Sequence, residues 1–125
     1  MTILDSLMQQ PGVFAAGQYS YHHDGSVVDF AGKLDPDQVR MASLMCRNTT
    51  HAAFLQSKVL VSADGQGGFN PARGWLVFGK EYVVCAYGNY FCFIRRADGD
   101  ATIAKVMTTL QERLPADAVP ERYLS

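Results

Sequence analysis

The segment from Asp35 to Ser57 limits the folds open to this chain more than any other stretch. Asp35 is suited to cap a helix, Pro36 to occupy its first turn, and Asp37 to lie near the positive end of its dipole. The spacing predicts a helix over 35–57 with two apolar stripes. Val39, Ala42, Cys46 and Ala53 form one, and Met41, Leu44, Met45, Ala52 and Leu55 form the other. A helix lying on one sheet with its back in water needs a single stripe of about 100°. The second stripe calls for a second partner. The following KVLVS, residues 58–62, either continues the helix or begins an extended segment.

Strand signals flank this helix. Residues 13–22 and 26–32 read as two strands joined at Asp24-Gly25, a two-residue turn signal. That turn would set Tyr21 against Val28 and Tyr19 against Phe30 on one face, with Ser20 against Asp29 and His22 against Val27 on the other. After a loop over 63–73 come three strands, 74–80, 82–87 and 90–95, with turns at Gly79-Lys80-Glu81 and Gly88-Asn89. Both faces of 82–87 are apolar, as expected for a strand covered on both sides. Residues 2–10 read as a short helix, with Thr2 and Asp5 as its capping box and Pro11-Gly12 as its stop. An aspartate of Asp98-Gly99-Asp100 caps a last helix with the stripe Ile103, Val106, Met107, Leu110 and Leu114, which Pro115 ends. The domain spans 1–114 and the tail 115–125 is irregular.

The chain has 125 residues, enough for one core, and a formal net charge of −1. Near-neutrality gives no general attraction to nucleic acid or anionic lipid, so neither is an expected partner. Nothing approaches the roughly 18 apolar residues of a membrane span. The N-terminus lacks the basic region of a signal peptide, and three cysteines do not make a disulfide scaffold. The cytoplasm is the expected compartment.

The fold class is α+β: a five-stranded, mainly antiparallel sheet with helices on both faces, in the order α-β-β-α-β-β-β-α. LDSLMQQPGVFAAGQY, DGSVVDFAGKL, MASLMC and NPARGWLVFGKEYVVCAYGNYFCFI stand at matching places in that order. Together they resemble an uncharacterised bacterial family of single-domain proteins of the roadblock/dynein light-chain type, relatives of profilin-like folds. The resemblance covers about residues 3–114, and its motifs are structural. It implies the first and last helices on one sheet face and the long helix on the other. It also implies a homodimer in which edge strands and long helices meet. Relatives of that type act as scaffolds or regulators of small GTPases.

The residues themselves support part of this. Strand 74–80 follows the long loop and opens the meander, which marks it as an edge. It carries Trp75, Leu76, Val77 and Phe78 with no proline and no inward charge. An apolar, uncharged edge invites pairing. The candidate interface is therefore Met41, Leu44, Met45, Leu55, Trp75 and Val77.

Other constellations carry less. A turn at Gly88-Asn89 sets Cys85 across from Cys92, a candidate redox pair or two buried hydrophobes. No neighbouring histidine or lysine activates either thiol, so no catalytic residue is assigned. His22 and His23 point to opposite faces of a strand end, His51 stands alone, and no metal site is expected. Gly65, Gly67 and Gly68 precede Phe69-Asn70-Pro71 rather than Lys-Ser/Thr and a helix, so they are not a phosphate cradle. Arg95, Arg96, Lys105 and Arg113 are too few for a nucleic-acid surface. Tyr87, Tyr90, Phe91 and Phe93 are sheet core, or line a small-molecule pocket under the long helix. The expectation is a non-enzymatic homodimeric module without cofactor, whose partners are itself and another protein, with a small GTPase suggested by the resemblance. The alternatives are a ligand sensor with that aromatic pocket and a thiol-redox protein.

Overall fold

A computed structural model describes residues 2–21, 24–64, 72–98 and 100–114. Its elements are α1 (Ile3–Met8), β1 (Val13–Tyr19), β2 (Val27–Gly32), α2 (Pro36–Asp64), β3 (Gly74–Phe78), β4 (Tyr82–Tyr87), β5 (Tyr90–Arg95), a 3-10 turn (Arg96–Asp98) and α3 (Asp100–Arg113). The strands form one antiparallel sheet in the order β2-β1-β5-β4-β3. The tail 115–125, the histidines His22 and His23, and the glycines Gly65, Gly67 and Gly68 lie outside the described residues. So do the aspartate side chains expected to cap α3. Among the described residues no helix is long and apolar enough to cross a membrane.

Two cores lie on opposite faces of the sheet. Leu4 and Leu7 of α1 and Ile103, Val106 and Leu110 of α3 cover Val83, Cys85, Cys92 and Ile94. Ala42 and Cys46 of α2 cover Tyr19, Ala86 and Phe91 on the other face. Phe91 lies across Gly17, where a Cβ would fall 2.4 Å from its ring, so only glycine admits this aromatic. The helix starts follow their capping residues. Thr2 and Asp5 exchange reciprocal bonds at α1. Asp35 and Gln38 do the same at α2.

Three boundaries differ from the sequence reading. The segment 58–62 is helical, and α2 runs to Asp64. Its straight-chain and aliphatic residues continue the helix with no proline or glycine to stop it. Strand 74–80 ends at Phe78, where Gly79 turns. The first hairpin is not closed by a two-residue turn. The Ser20 N–H donates to the Ser26 carbonyl, a pairing that a two-residue turn at Asp24-Gly25 does not allow, and the register shifts between Gln18 and Tyr19. Tyr19 therefore opposes Val27, Gln18 opposes Asp29 and Gly17 opposes Phe30. The cause is tertiary. Tyr21 leaves the strand to pack under α2 and edge-on against Tyr19, and Arg47 of α2 bonds its carbonyl. Gly25, at φ +56°, lies so close to the Leu44 backbone that a Cβ would sit 2.9 Å from its Cα. Val28 is left exposed rather than buried with the aromatics.

Candidate functional site

The helix stripes separate as their spacing predicts. Val39, Ala42 and Cys46 are buried, while Met41, Leu44, Met45 and Leu55 face outward, Met41 with 70% of its surface exposed. Ala52 and Val59 extend that outer stripe. Along its flank, Gln38, Met41, Met45, Asn48, Thr49 and Ala52 wall a groove of roughly 1000 Å3. The sheet supplies its floor. Phe14 stands edge-on to Tyr82 at 5.3 Å between ring centroids and 6.0 Å from Phe93. Phe14 reaches this face because it falls within the irregularity between Val13 and Ala15. No alternation pattern could have shown that. The aromatic pocket expected under the long helix is thus an open trough along it, floored by Phe93 but not by Phe91, Tyr87 or Tyr90.

β3 is an outer strand, as expected. The Gly79 N–H bonds the Tyr82 carbonyl and the Arg73 carbonyl accepts from the Gly88 N–H. Backbone alternation then points residues 75 and 77 toward β4 and leaves the main-chain groups of Gly74, Leu76 and Phe78 on the open side. Side chains alternate as well. Trp75 and Val77 share the α2 face with Ala86 and Val84, whereas Leu76 and Phe78 share the α3 face with Cys85 and Val83. Val77 is 50% exposed.

The opposite edge is guarded. The Lys33 N–H bonds inward to the Phe14 carbonyl, so alternation turns the Phe30 N–H to the open side of β2. There the Asp29 carboxylate accepts it at 2.8 Å. An incoming strand would lose that donor and meet a charge.

Trp75 is half-buried and ties the edge to the helix. Its indole N–H donates to Thr50 Oγ1 at 2.7 Å. Thr50 lies 2.6 Å from the Tyr19 hydroxyl, which donates to the Gly88 carbonyl at 3.0 Å. Since the indole only donates and the carbonyl only accepts, the direction is fixed: Trp75 to Thr50 to Tyr19 to Gly88. Burial pushes the Tyr19 phenol far above its ordinary value, which keeps this donor protonated.

Cys85 and Cys92 are opposed, as the turn predicts, and both are free, fully buried thiols. The hydrogen bond with the Cys85 thiol and burial both push the Cys92 thiol upward, and burial pushes Cys46 to about 12. His51 Nδ1 lies 3.3 Å from the Arg47 guanidinium. Among the described residues no group of three or more metal-ligating side chains converges. Arg95 stacks over Phe14, Arg96 over Phe78, and Arg113 bonds Thr2 and Ser6 of α1.

The pattern of elements extends to known proteins. Residues 3–112 match a family described as an uncharacterised conserved protein, DUF2173. The chain belongs to the DUF2173 family. Comparison with curated protein sequences finds no match. Among solved structures, this DUF2173 chain is similar to a Roadblock/LC7 domain from Streptomyces avermitilis at a TM-score of 0.57. That pair is 16% identical over 88% of this chain and 92% of that one. It is also similar to the gliding protein MglB from Thermus thermophilus, at a TM-score of 0.66 and 12% identity over 98% and 83%. An MglB with a tetrameric arrangement gives 0.65 and 11% over 98% and 82%. At these identities the likeness shows the fold: this DUF2173 protein has the roadblock architecture.

Proposed function

We propose that this protein is a non-enzymatic, homodimeric scaffold or regulatory module that works through its surfaces in the cytoplasm. One observation carries the reading: an exposed, mostly apolar helix stripe whose spacing is self-complementary and whose centre is hydrogen-bonded to an unguarded strand edge. Met41, Met45, Asn48, Ala52, Leu55 and Val59 are spaced by alternating steps of four and three, the spacing of a helix-pairing seam. Residues 41 and 59, 45 and 55, and 48 and 52 are each symmetric about position 50. An antiparallel second copy would set Met41 on Val59, Met45 on Leu55 and Asn48 on Ala52. Thr50 is bonded to Trp75 on β3. A single two-fold axis passing there relates both seams and both edges, and the second helix enters the aromatic-floored groove. In this reading Trp75 anchors the edge from within its own chain, while Met41, Leu44, Met45, Leu55 and Val77 contact the partner copy.

The similar MglB solved in a tetrameric arrangement supports self-association. A second protein is the further partner, and the roadblock likeness favours a small GTPase for that place. Light scattering after gel filtration over roughly 1–100 μM tests the dimer. A mass near twice 13.7 kDa, unchanged by reductant, is expected. A monomer at every concentration would refute it. Val77→Lys is expected to yield monomers, and an unchanged dimer would remove β3 from the interface.

The groove also gives the ligand-sensing reading a concrete site, walled by Met41 and Met45 and floored by Phe14, Tyr82 and Phe93. A thermal-shift panel separates the two readings, since a filled groove in the dimer leaves small molecules no saturable stabilisation.

A further inference from the structure

On the face opposite α2, β3 carries an uncovered apolar strip. Leu76 is 42% and Phe78 54% exposed, and both point to the α3 side of the sheet. α3 packs on β4 and β5 and reaches this edge at its Gly74 end, where Met107 lies, rather than over Leu76 and Phe78. In a monomer the strip is two side chains wide. This inference rests on the dimer proposed above, in which β3 meets its copy. An antiparallel register centred at Leu76 or Val77 brings Leu76 and Phe78 of both copies together on this face.

The spacing of the layers then defines what fits. Strands lie about 4.8 Å apart, so with α3 over β4 or between β4 and β5, the two copies of α3 stand about 14–19 Å apart. Helices pack at roughly 8–10 Å between axes, so one helix between two others needs about 16–20 Å. The trough is one helix wide, and its floor is apolar. One arginine stands at its margin. The Arg96 guanidinium lies over the Phe78 ring at 5.5 Å and is held there by a 2.8 Å bond to the Gly79 carbonyl. No carboxylate among the described residues pairs with it, and most of its N–H donors stay unused. The two-fold axis sets a second Arg96 on the other margin.

We propose that the dimer binds one amphipathic helix of a partner protein in this trough. The helix is apolar on the face toward Leu76 and Phe78 and carries carboxylates on both flanks for the two Arg96 side chains. Because the site lies on the two-fold axis, one helix occupies two chains. The site is incomplete in a single copy and lies on the face away from the dimer seam.

The probe is a labelled peptide of about 18 residues built from Leu and Glu at helical spacing, compared with its Lys counterpart. Binding to the full chain is followed by fluorescence anisotropy, and the mass of each variant by light scattering. The Glu peptide is expected to saturate at one per two chains. The Lys peptide is expected to bind at least roughly tenfold more weakly. At chain concentrations where light scattering shows the variant to be dimeric, Phe78→Ser should weaken the Glu peptide by roughly tenfold or more. Arg96→Glu should reverse the peptide preference. Absence of saturable Glu-peptide binding to a verified dimer overturns this proposal and leaves the dimer standing. So does binding of one peptide per chain, or indifference to Phe78→Ser. Binding to anionic vesicles in place of the peptide would reassign the strip to a membrane and overturn it too. A monomeric wild type would overturn the dimer and this site together.

Discussion

At the scale of single residues, Thr50 does more than its size suggests, because it relays a hydrogen bond between two aromatic side chains on different strands. Thr50→Val keeps the shape and removes both the acceptor for Trp75 and the donor to Tyr19. Leaving such groups unsatisfied costs about 1–3 kcal/mol, which urea unfolding would measure. Trp75 is the sole tryptophan, so its emission should also move to the red if its anchor is lost. Preserved stability and emission would show that the bond contributes nothing net. Asp5 gives a pH dependence. The bonds from Thr2, side chain first, hold its carboxyl below the ordinary range, so the folded value is the lower one. Its contribution is present above the unfolded value and is lost as pH falls through the folded one. The helicity of α1 should therefore fray only on acidification below the ordinary carboxylate range, and Asp5→Asn should flatten that response in amide exchange. The three cysteines are expected to resist alkylation in the native state, since all three are fully buried and the Cys46 and Cys92 thiols are also pushed upward. Mass spectrometry that finds a Cys85–Cys92 bond under mild oxidation would instead support the redox reading.

At the scale of elements, the two sheet edges are built to opposite ends. β2 uses the Asp29 side chain to occupy the outward Phe30 N–H, while β3 leaves the groups of Leu76 and Phe78 open. Leu76→Pro is the sharper probe of the open edge. It removes an outward donor and leaves the ladder to β4 intact. The monomer should keep its fold by circular dichroism and lose its dimer by light scattering. A dimer that survives would place the contact on α2 alone. These elements were legible to different degrees. Both α2 stripes, the outer position of 74–80 and the pairing of Cys85 with Cys92 follow from periodicity and one two-residue turn, both local in sequence. The connection around Asp24-Gly25 was not legible. Its register is set by Tyr21 burying itself under α2 and by Arg47 holding the Tyr21 carbonyl, and these contacts join segments far apart in the chain. Phe14 was hidden for a similar reason, since an irregularity in β1 moves it off the alternating pattern. On the groove floor Phe14 therefore had no sequence signal, whereas Phe93 and the methionine wall did.

At the scale of the whole molecule, the question is whether one two-fold axis serves both seam and edge, and a charge exchange decides it. Residues 45 and 55 of one helix are about 15 Å apart along its axis and cannot touch within a chain. In the antiparallel register about position 50 each meets the other across the interface. Met45→Glu sets a carboxylate against Leu55 of the second copy, and Leu55→Lys sets an ammonium against Met45. Each should weaken the dimer by roughly tenfold or more. Combined in one chain, the two changes create two opposite-charge pairs per dimer. Exposed pairs contribute about 0.5 kcal/mol each, so the double variant should dimerise on the order of fivefold more tightly than the two single losses added together would give. Sedimentation at several concentrations gives the sign without further assumption. Favourable coupling in the double variant fixes the register, because no arrangement that keeps 45 and 55 apart produces it. A double variant whose loss equals the sum of the two single losses would mean that the helices do not pair about Thr50. The apolar stripe on α2 would then have to be covered by something other than its own copy.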